Sequence, residues 1–240
     1  EVFISGRNNF LNNNAQNLTG CKTLPLDVSK LESVKDVFNE TKPDIVIHAA
    51  ATKYVDISEN NPFECIDVNV LGSQNVARVS IDKGIETVIG ISTDKSTPPI
   101  TNTYGLSKAI MERTFANLSY KTITKFSCVR FGNIAWSTGS VFPIWKEMMK
   151  KNNKIFSTGP KMRRFFFNVS DASDLAIRAL NNIEELNGKI ITMKMKSAKI
   201  SDILDIWCDH YNATWEEAPK RKGDHTDEYL IGSTELKYAS

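Results

Sequence analysis

The chain has 240 residues, 41% of them hydrophobic, and its 30 basic and 28 acidic side chains leave a formal charge of +2. That length buries a sizeable core as one domain, or one domain with a small appended region, and the near balance of charge gives no ground for a nucleic-acid or membrane-surface partner. No apolar run approaches the ~18 to 20 residues that cross a bilayer, and no signal-peptide pattern or internal repeat is visible. Cys21, Cys65, Cys128 and Cys208 are widely spaced, with no CxxC or Cys/His cluster, so a soluble, cytoplasmic protein with reduced thiols and no metal site is expected.

In chain order, Val2–Ser5 reads as a short strand, Asn12–Asn17 as a loop or frayed helix end, and Lys22–Leu26 as a second strand ending at Asp27. Leu31–Asn39 carries Val34, Val37 and Phe38 at helical spacing, with Ser29 placed to cap it. Asp44–Ala51 is a buried strand running into Ala49 and Ala50, small residues that let a ligand approach its end. Pro62 opens a helix with a stripe of Ile66, Val70, Val76 and Val79, closed by Gly84. Strand Thr87–Ser92, a loop through Pro98 and Pro99, helix Asn102–Leu118 and strand Phe126–Arg130 complete an alternating series. Such alternation implies an α/β fold with a doubly wound, Rossmann-type parallel sheet. After Arg130 the pattern loosens around Gly139, Pro143 and Gly159-Pro160. Helices near Pro143–Lys150, Ser170–Asn181 and Ser201–Tyr211 and a strand at Lys189–Met193 are read there. The expected division is a nucleotide-cofactor core over 1–131 and a smaller C-terminal substrate-binding region over 132–240, with 165–194 returning to the core.

The chemistry is concentrated in Ser92-Thr93-Asp94-Lys95 and Tyr104-Gly105-Leu106-Ser107-Lys108. Residues four apart share a helix face, so Tyr104 and Lys108 project together, with Thr93 arriving from the end of the preceding strand. A phenol titrates near pH 10 in water, and a neighbouring ammonium favours the phenolate, bringing Tyr104 towards the range where it takes a proton from an alcohol. The set falls where a strand ends and the next helix opens, the place where open α/β sheets bind ligands.

These segments, with His48-Ala49-Ala50-Ala51-Thr52-Lys53, Asn69-Val70-Leu71-Gly72, Arg130-Phe131-Gly132-Asn133 and Met162-Arg163-Arg164-Phe165-Phe166, resemble the extended short-chain dehydrogenase/reductases. Within them the chain is similar to the UDP-N-acetylglucosamine 4,6-dehydratases of bacterial glycan synthesis. The resemblance implies that Tyr104 takes the sugar 4-hydroxyl proton while hydride passes to NADP, with NAD the alternative cofactor. Lys108 would hold the cofactor ribose and depress the Tyr104 pKa, and Thr93 would bond the same sugar oxygen. Lys95 would remove the 5-hydrogen made acidic by the new 4-keto group, and Asp94 would protonate the departing 6-hydroxyl. A plain Asp94–Lys95 ion pair at a loop start is the competing reading. Arg7, Asp27, Ala49, Ala50, Lys53 and Asn69 would meet the cofactor together with Tyr104 and Lys108, although Asp27 also suits a turn or helix cap. Lys53, Asn133, Arg164, Arg221 and Glu228 would meet the nucleotide sugar, and Arg163 would face solvent.

The resemblance is incomplete. A Gly-rich turn for the cofactor pyrophosphate is not visible. Either Glu1–Ser5 is the second strand of the fold, Arg7 reads the 2′-phosphate of NADP and the first strand precedes residue 1, or Val2–Gly6 is the first strand and Gly6–Asn12 a loop that has lost its glycines. The spacing from Glu1 to Asp27, which suits strand, helix and strand, and the lack of an initiating Met favour the former. Trp136–Gly139 lacks a basic residue near Thr138, and the tail around Asp224-His225 diverges. A nucleotide-sugar epimerase or 4-keto reductase would need Thr93, Tyr104 and Lys108 but neither Asp94 nor Lys95. A catalytically inactive nucleotide-sugar-binding subunit is the third reading. The family resemblance also implies self-association through helices flanking the sheet.

Overall fold

The computed structural model describes residues 1–219 and 223–239. Strand β1 (Phe3–Gly6) is followed by helix α1 (Asn9–Thr19), strand β2 (Lys22–Pro25), helix α2 (Leu31–Thr41) and strand β3 (Ile45–His48). A short helix α3 (Val55–Asn60) precedes a continuous helical stretch made of α4 (Pro62–Cys65), a π-helical segment Ile66–Leu71 and α5 (Gly72–Lys83). Strand β4 (Thr87–Thr93) runs into a single 3-10 turn, Asp94–Ser96, and then come helix α6 (Thr103–Leu118) and strand β5 (Lys125–Phe131).

The second half holds β6 (Asn133–Ile134), α7 (Val141–Asn152), β7 (Lys154–Thr158), β8 (Arg163–Phe167), α8 (Val169–Asn181), α9 (Ile183–Leu186) and β9 (Ile190–Ile191). It ends with β10 (Ser197–Lys199), α10 (Ile200–Tyr211) and β11 (Thr214–Ala218). β3, β4, β5 and β9 form a four-stranded parallel sheet in that order, and β1 pairs in parallel with β2. Two small sheets, β10-β8-β6 and β11-β7, belong to the C-terminal region.

Alternation along the strands sends side chains to opposite faces, and both faces are covered. Val88 and Phe126 pack with Val34, Phe38, Val76, Met111 and Phe115 under α2, α5 and α6, and Phe3 and Leu24 reach the same core from β1 and β2. Ile89 and Val129 face the other way, onto Ala172, Leu175 and Ala179 of α8 and Phe167. Gly90 is small because α6 comes close there: a Cβ would lie 2.9 Å from Phe115 and 3.0 Å from the Cys128 sulfur. A third core, with Trp145, Ile155, Met162 and Leu204, holds α7 and α10 to the small sheets. The fold is therefore a doubly wound parallel α/β sheet with a smaller C-terminal region.

Local readings differ in four places. Asn12 to Asn17 is ordinary helix: Asn12 is buried, and its Nδ2 donates to the carbonyls of Gly6 at 2.8 Å and Leu24 at 3.3 Å, replacing apolar contacts with polar ties. Ser29 does not cap α2, because its hydroxyl is held by Asp27 at 2.7 Å and Lys30 is the capping residue. The Pro62–Lys83 helix contains a π-helical segment, which turns Asn69 inward beneath the loop after β3. The short strands β6, β7, β8, β10 and β11 carry too few residues for alternation to show, and were not expected.

β1 and β3 do not pair with one another, and among the described residues each is bonded on one side only.

Candidate active site

Every strand of the parallel sheet ends at the same edge, and the predicted site residues follow those ends. β4 delivers Thr93, and the turn after it presents Asp94 and Lys95. Asp94 is buried. Its Oδ1 accepts from the Thr93 hydroxyl and from Lys95 Nζ, both at 3.0 Å, while Oδ2 has no hydrogen-bond partner among the described residues. A buried carboxylate oxygen left unbonded is costly, which singles Oδ2 out among the polar atoms of the turn.

The turn is held from below. Ser96 Oγ lies 2.6 Å from Thr93 O and 2.8 Å from Glu112 Oε1, two acceptors for its single O–H. α6 starts directly beneath it: Asn102 caps by accepting from Gly105 N at 2.7 Å, and Thr103 N and Oγ1 donate to Glu59 at 2.6 and 2.7 Å. A side chain at Gly105 would overlap the Lys95 carbonyl, so the close approach of α6 to the turn requires glycine.

Tyr104 and Lys108 are both buried on α6. Burial pushes the Tyr104 phenol up to about 12, against the Lys95 charge and a hydrogen bond from Thr93 that pull it down. This differs from the expectation that Lys108 depresses it: burial dominates and Lys95 is the opposing cation. Among the described residues Lys108 has no salt-bridge partner, and Glu112 acts on it only through its field. Its Nζ lies 3.3 Å from the Met111 sulfur, and burial lowers it to about 8. His48, at the end of β3, donates or accepts at Ser73 Oγ at 2.9 Å and is lowered to about 3, by burial first and by Lys108 second.

Arg7 follows β1 and Asp27 follows β2. Arg7 bonds Glu64 at 3.0 Å and stays more than half exposed, while Asp27 accepts from Ser29 N and Oγ, a hydrogen bond that holds its carboxyl below the usual range. Ala49 and Ala50 leave the end of β3 open. Asn69 lies beside them, but its carboxamide is spent on Thr52 N and O and on Ser107 Oγ, at 2.8, 3.0 and 2.9 Å, so it fixes the loop and α6 rather than facing open space. Lys53 Nζ donates to Thr138 O at 2.7 Å, tying the loop after β3 to the loop before α7; burial lowers its pKa.

For a nicotinamide dinucleotide the fit is divided. The unpaired, buried Lys108 beside Tyr104 and the open strand end at Ala49 and Ala50 suit the ribose and ring. The turn after β1 does not suit the pyrophosphate: Asn8 fills the N-terminus of α1 by accepting from Leu11 N at 3.1 Å, and a Cβ on Gly6 would lie 2.9 Å from Asn12.

On the substrate side, Asn133 Nδ2 donates to Phe165 O at 3.1 Å. Arg164 is buried and donates to the carbonyls of His225 and Thr226 at 2.7 and 3.2 Å. Arg163 faces solvent, its side chain 63% exposed, and from there it forks both oxygens of Asp227 at 2.7 and 2.9 Å. Glu228 sits with the catalytic turn: its Oε1 is 3.7 Å from Lys95 Nζ and 3.9 Å from Arg164. Arg221 lies outside the described residues.

Sequence reasoning missed the support beneath the site. Arg130, at the end of β5, is buried and uses all five N–H donors: both oxygens of Glu112, both of Glu235, and Leu230 O, at 2.8 to 3.1 Å. The available signal was an arginine inside an apolar strand run, which needs a paired carboxylate. Among the described residues no helix is long and apolar enough to cross a membrane, and no cluster of three His, Cys, Asp or Glu could hold a metal.

Comparison with known proteins agrees with this architecture. A family described as "Polysaccharide biosynthesis protein" matches residues 6–240. An uncharacterized membrane protein of Methanocaldococcus jannaschii is 36% identical over 88% of this chain and 65% of its own length. An inverting UDP-N-acetylglucosamine 4,6-dehydratase of Campylobacter jejuni is 34% identical over 79% of this chain and 57% of its own. A UDP-glucose 4-epimerase of Rickettsia bellii is 38% identical over 89% and 62%. The chain thus spans about two thirds of these relatives or less. Among solved structures, Pen from Bacillus thuringiensis superposes with a TM-score of 0.90 at 29% identity, over 96% of this chain and 72% of that one. A dTDP-glucose 4,6-dehydratase from Streptomyces venezuelae has the same fold, with a TM-score of 0.85 at 16% identity over 99% and 80%. The chain belongs to the polysaccharide biosynthesis protein family, a group of extended short-chain dehydrogenase/reductases that includes the nucleotide-sugar dehydratases it resembles.

Proposed function

We propose that the chain forms the catalytic region of an NADP-dependent nucleotide-sugar 4,6-dehydratase acting on UDP-N-acetylglucosamine to give a 4-keto-6-deoxy sugar. The observation that carries this reading is the Asp94–Lys95 pair, placed one turn beyond Thr93 with Asp94 Oδ2 buried and unbonded. When bound, the cofactor would take hydride from sugar carbon 4 and return it to carbon 6 once water has left, with a proton going back to carbon 5, so that the net change is loss of water alone. Tyr104, steadied by Thr93, takes the 4-hydroxyl proton, and Lys95 pulls the buried phenol towards ionisation. Lys108 brings the positive charge that the ribose and phenolate share. The ketone acidifies the 5-hydrogen, Lys95 removes it as a neutral amine, and Asp94 Oδ2 delivers a proton to the departing 6-hydroxyl. Both last roles demand protonation states opposite to those of a surface Asp–Lys pair.

Arg7, more than half exposed at the end of β1, supports NADP through its reach for a 2′-phosphate. Ile66 on the π-helical segment and Leu106 and Ile110 on α6 are exposed apolar residues that support self-association, and the reduced cysteines support a cytoplasmic location. A second reading, nucleotide-sugar 4-epimerase, is favoured by the Rickettsia relative. Incubation of the protein with UDP-N-acetylglucosamine and NADP, followed by mass spectrometry of the sugar, separates the two. Loss of one water in the wild type and not in Lys95→Ala is expected; an isomer of unchanged mass would establish the epimerase instead.

A further inference from the structure

Residues 225–235 cross the catalytic turn and are fastened on both sides of it. On one side Arg163 grips Asp227 with two hydrogen bonds, and Arg164 holds the carbonyls of His225 and Thr226. On the other, Arg130 holds Leu230 O and both oxygens of Glu235, and Glu235 Oε2 accepts from Gly232 N at 2.8 Å. Gly232 passes so close to the Pro98 carbonyl that a Cβ would lie 2.7 Å from it. Between these fastenings hangs one carboxylate, Glu228, its side chain 5% exposed and 3.7 Å from Lys95.

We infer that this segment is a strap whose function is to hold Glu228 against Lys95, so that Glu228 is a positioning residue that keeps the Lys95 amine protonated until substrate enters. The inference rests on the reading of Lys95 as the base. The groups facing Lys95 are Asp94 from its own turn, Tyr104 from α6, Arg164 from β8, and Glu228 from the strap, with His225 adding its field to Glu228. Burial disfavours the ammonium and Arg164 repels it, yet Asp94 and Glu228 outweigh both and hold the amine above its ordinary range. Asp94 cannot be the adjustable member, because the turn that carries it is locked by Ser96 and Glu112. Glu228 is reached only through the strap, so a substrate that displaces the strap removes one of the two charges holding the proton on Lys95. The same strap supplies the acceptors for Arg164, which links release of Lys95 to freeing a guanidinium suited to a diphosphate.

The test is competitive acetylation of Lys95 with trace acetic anhydride across pH, read by peptide mass spectrometry on the full chain. It requires no turnover, so it stands or falls separately from the dehydratase reading. Glu228→Gln is expected to lower the midpoint of Lys95 reactivity by about one pH unit, a tenfold gain at a fixed pH below the midpoint. Glu228→Asp should give an intermediate shift. Glu235→Gln and, at the exposed end, Asp227→Asn should move it in the same direction by less. If dehydration is measured as well, the acid limb of the kcat/KM profile should move down in Glu228→Gln. An unchanged midpoint in Glu228→Gln overturns the inference; a shift there with none in either strap-end variant overturns the role of the strap.

Discussion

The Lys108 ammonium rests 3.3 Å from the Met111 thioether, one turn along the same helix, in a part of the core that also takes in Phe115 and Cys128. A buried cation with a thioether as its neighbour destabilises the fold, and its pKa of about 8 says so. The unfolded chain holds this proton up to the ordinary lysine range while the folded chain releases it near 8. Stability therefore rises as pH climbs from about 8 to 10.5, and the cost is fully present below 8.

Lys108→Met should remove that cost. We expect a gain on the order of 2–3 kcal/mol at neutral pH, loss of the pH dependence of urea unfolding between 8 and 10, and activity reduced at least 100-fold. Equal or lower stability in the methionine variant would mean that the ammonium is compensated in a way the structure does not show.

His48 gives the opposite end of the pH scale. Its folded pKa of about 3 lies below the unfolded 6.5, so the unfolded state binds the proton first and stability falls as pH drops from 6.5 towards 3. His48→Gln keeps a partner for Ser73 and cannot titrate. The variant should lose less stability than the wild type between pH 6.5 and 4.5, by roughly 1 kcal/mol per pH unit, in thermal unfolding followed by circular dichroism.

Arg130 tests the support under the site. Arg130→Met leaves two carboxylates, Glu112 buried and Glu235 half-buried, without their cation, and breaking a buried pair in this way costs about 3–5 kcal/mol. The midpoint of urea unfolding should fall accordingly, and the double variant Arg130→Met with Glu112→Gln should recover part of the loss. No recovery would show that the two side chains are not energetically coupled.

Gly105→Ala asks whether α6 must lie so near the catalytic turn. The added methyl would meet the Lys95 carbonyl, so either the turn or the helix start shifts. We expect kcat to fall at least 100-fold with stability reduced by about 1–3 kcal/mol. A control, Asn168→Ala, removes the capping box of α8 far from the turn and should cost about 1 kcal/mol with kcat unchanged.

The first half of the molecule was legible because its strands are buried on both faces and its helices carry regular apolar stripes. Val88 to Ile91 and Val34, Val37 and Phe38 announce their elements without tertiary context. Thr93, Asp94, Lys95, Tyr104 and Lys108 were legible as a set because strand end and helix start are both marked locally, by Asn102 and the two prolines. The approach of Glu228 to Lys95 was not. Glu228 lies 133 positions downstream of it, and no periodicity links a carboxylate in an irregular tail to a turn in the core. The effect of burial on Tyr104 was hidden for the same reason: composition names a phenol and an ammonium, but the surrounding dielectric belongs to the assembled fold. Asn12 misled because asparagine signals loops unless tertiary carbonyls, here of Gly6 and Leu24, come within reach of its amide.

β1 and β3 each keep one flank without a strand partner among the described residues, at an interruption of the parallel array. Ile45 and Ile47 of β3 are 43% and 51% exposed, and Phe10 and Leu11 of α1 are 71% and 60% exposed. A strand accommodated in that interval would be the most central of the array, satisfying amide groups on both sides at once, and would therefore read as an uninterrupted apolar run.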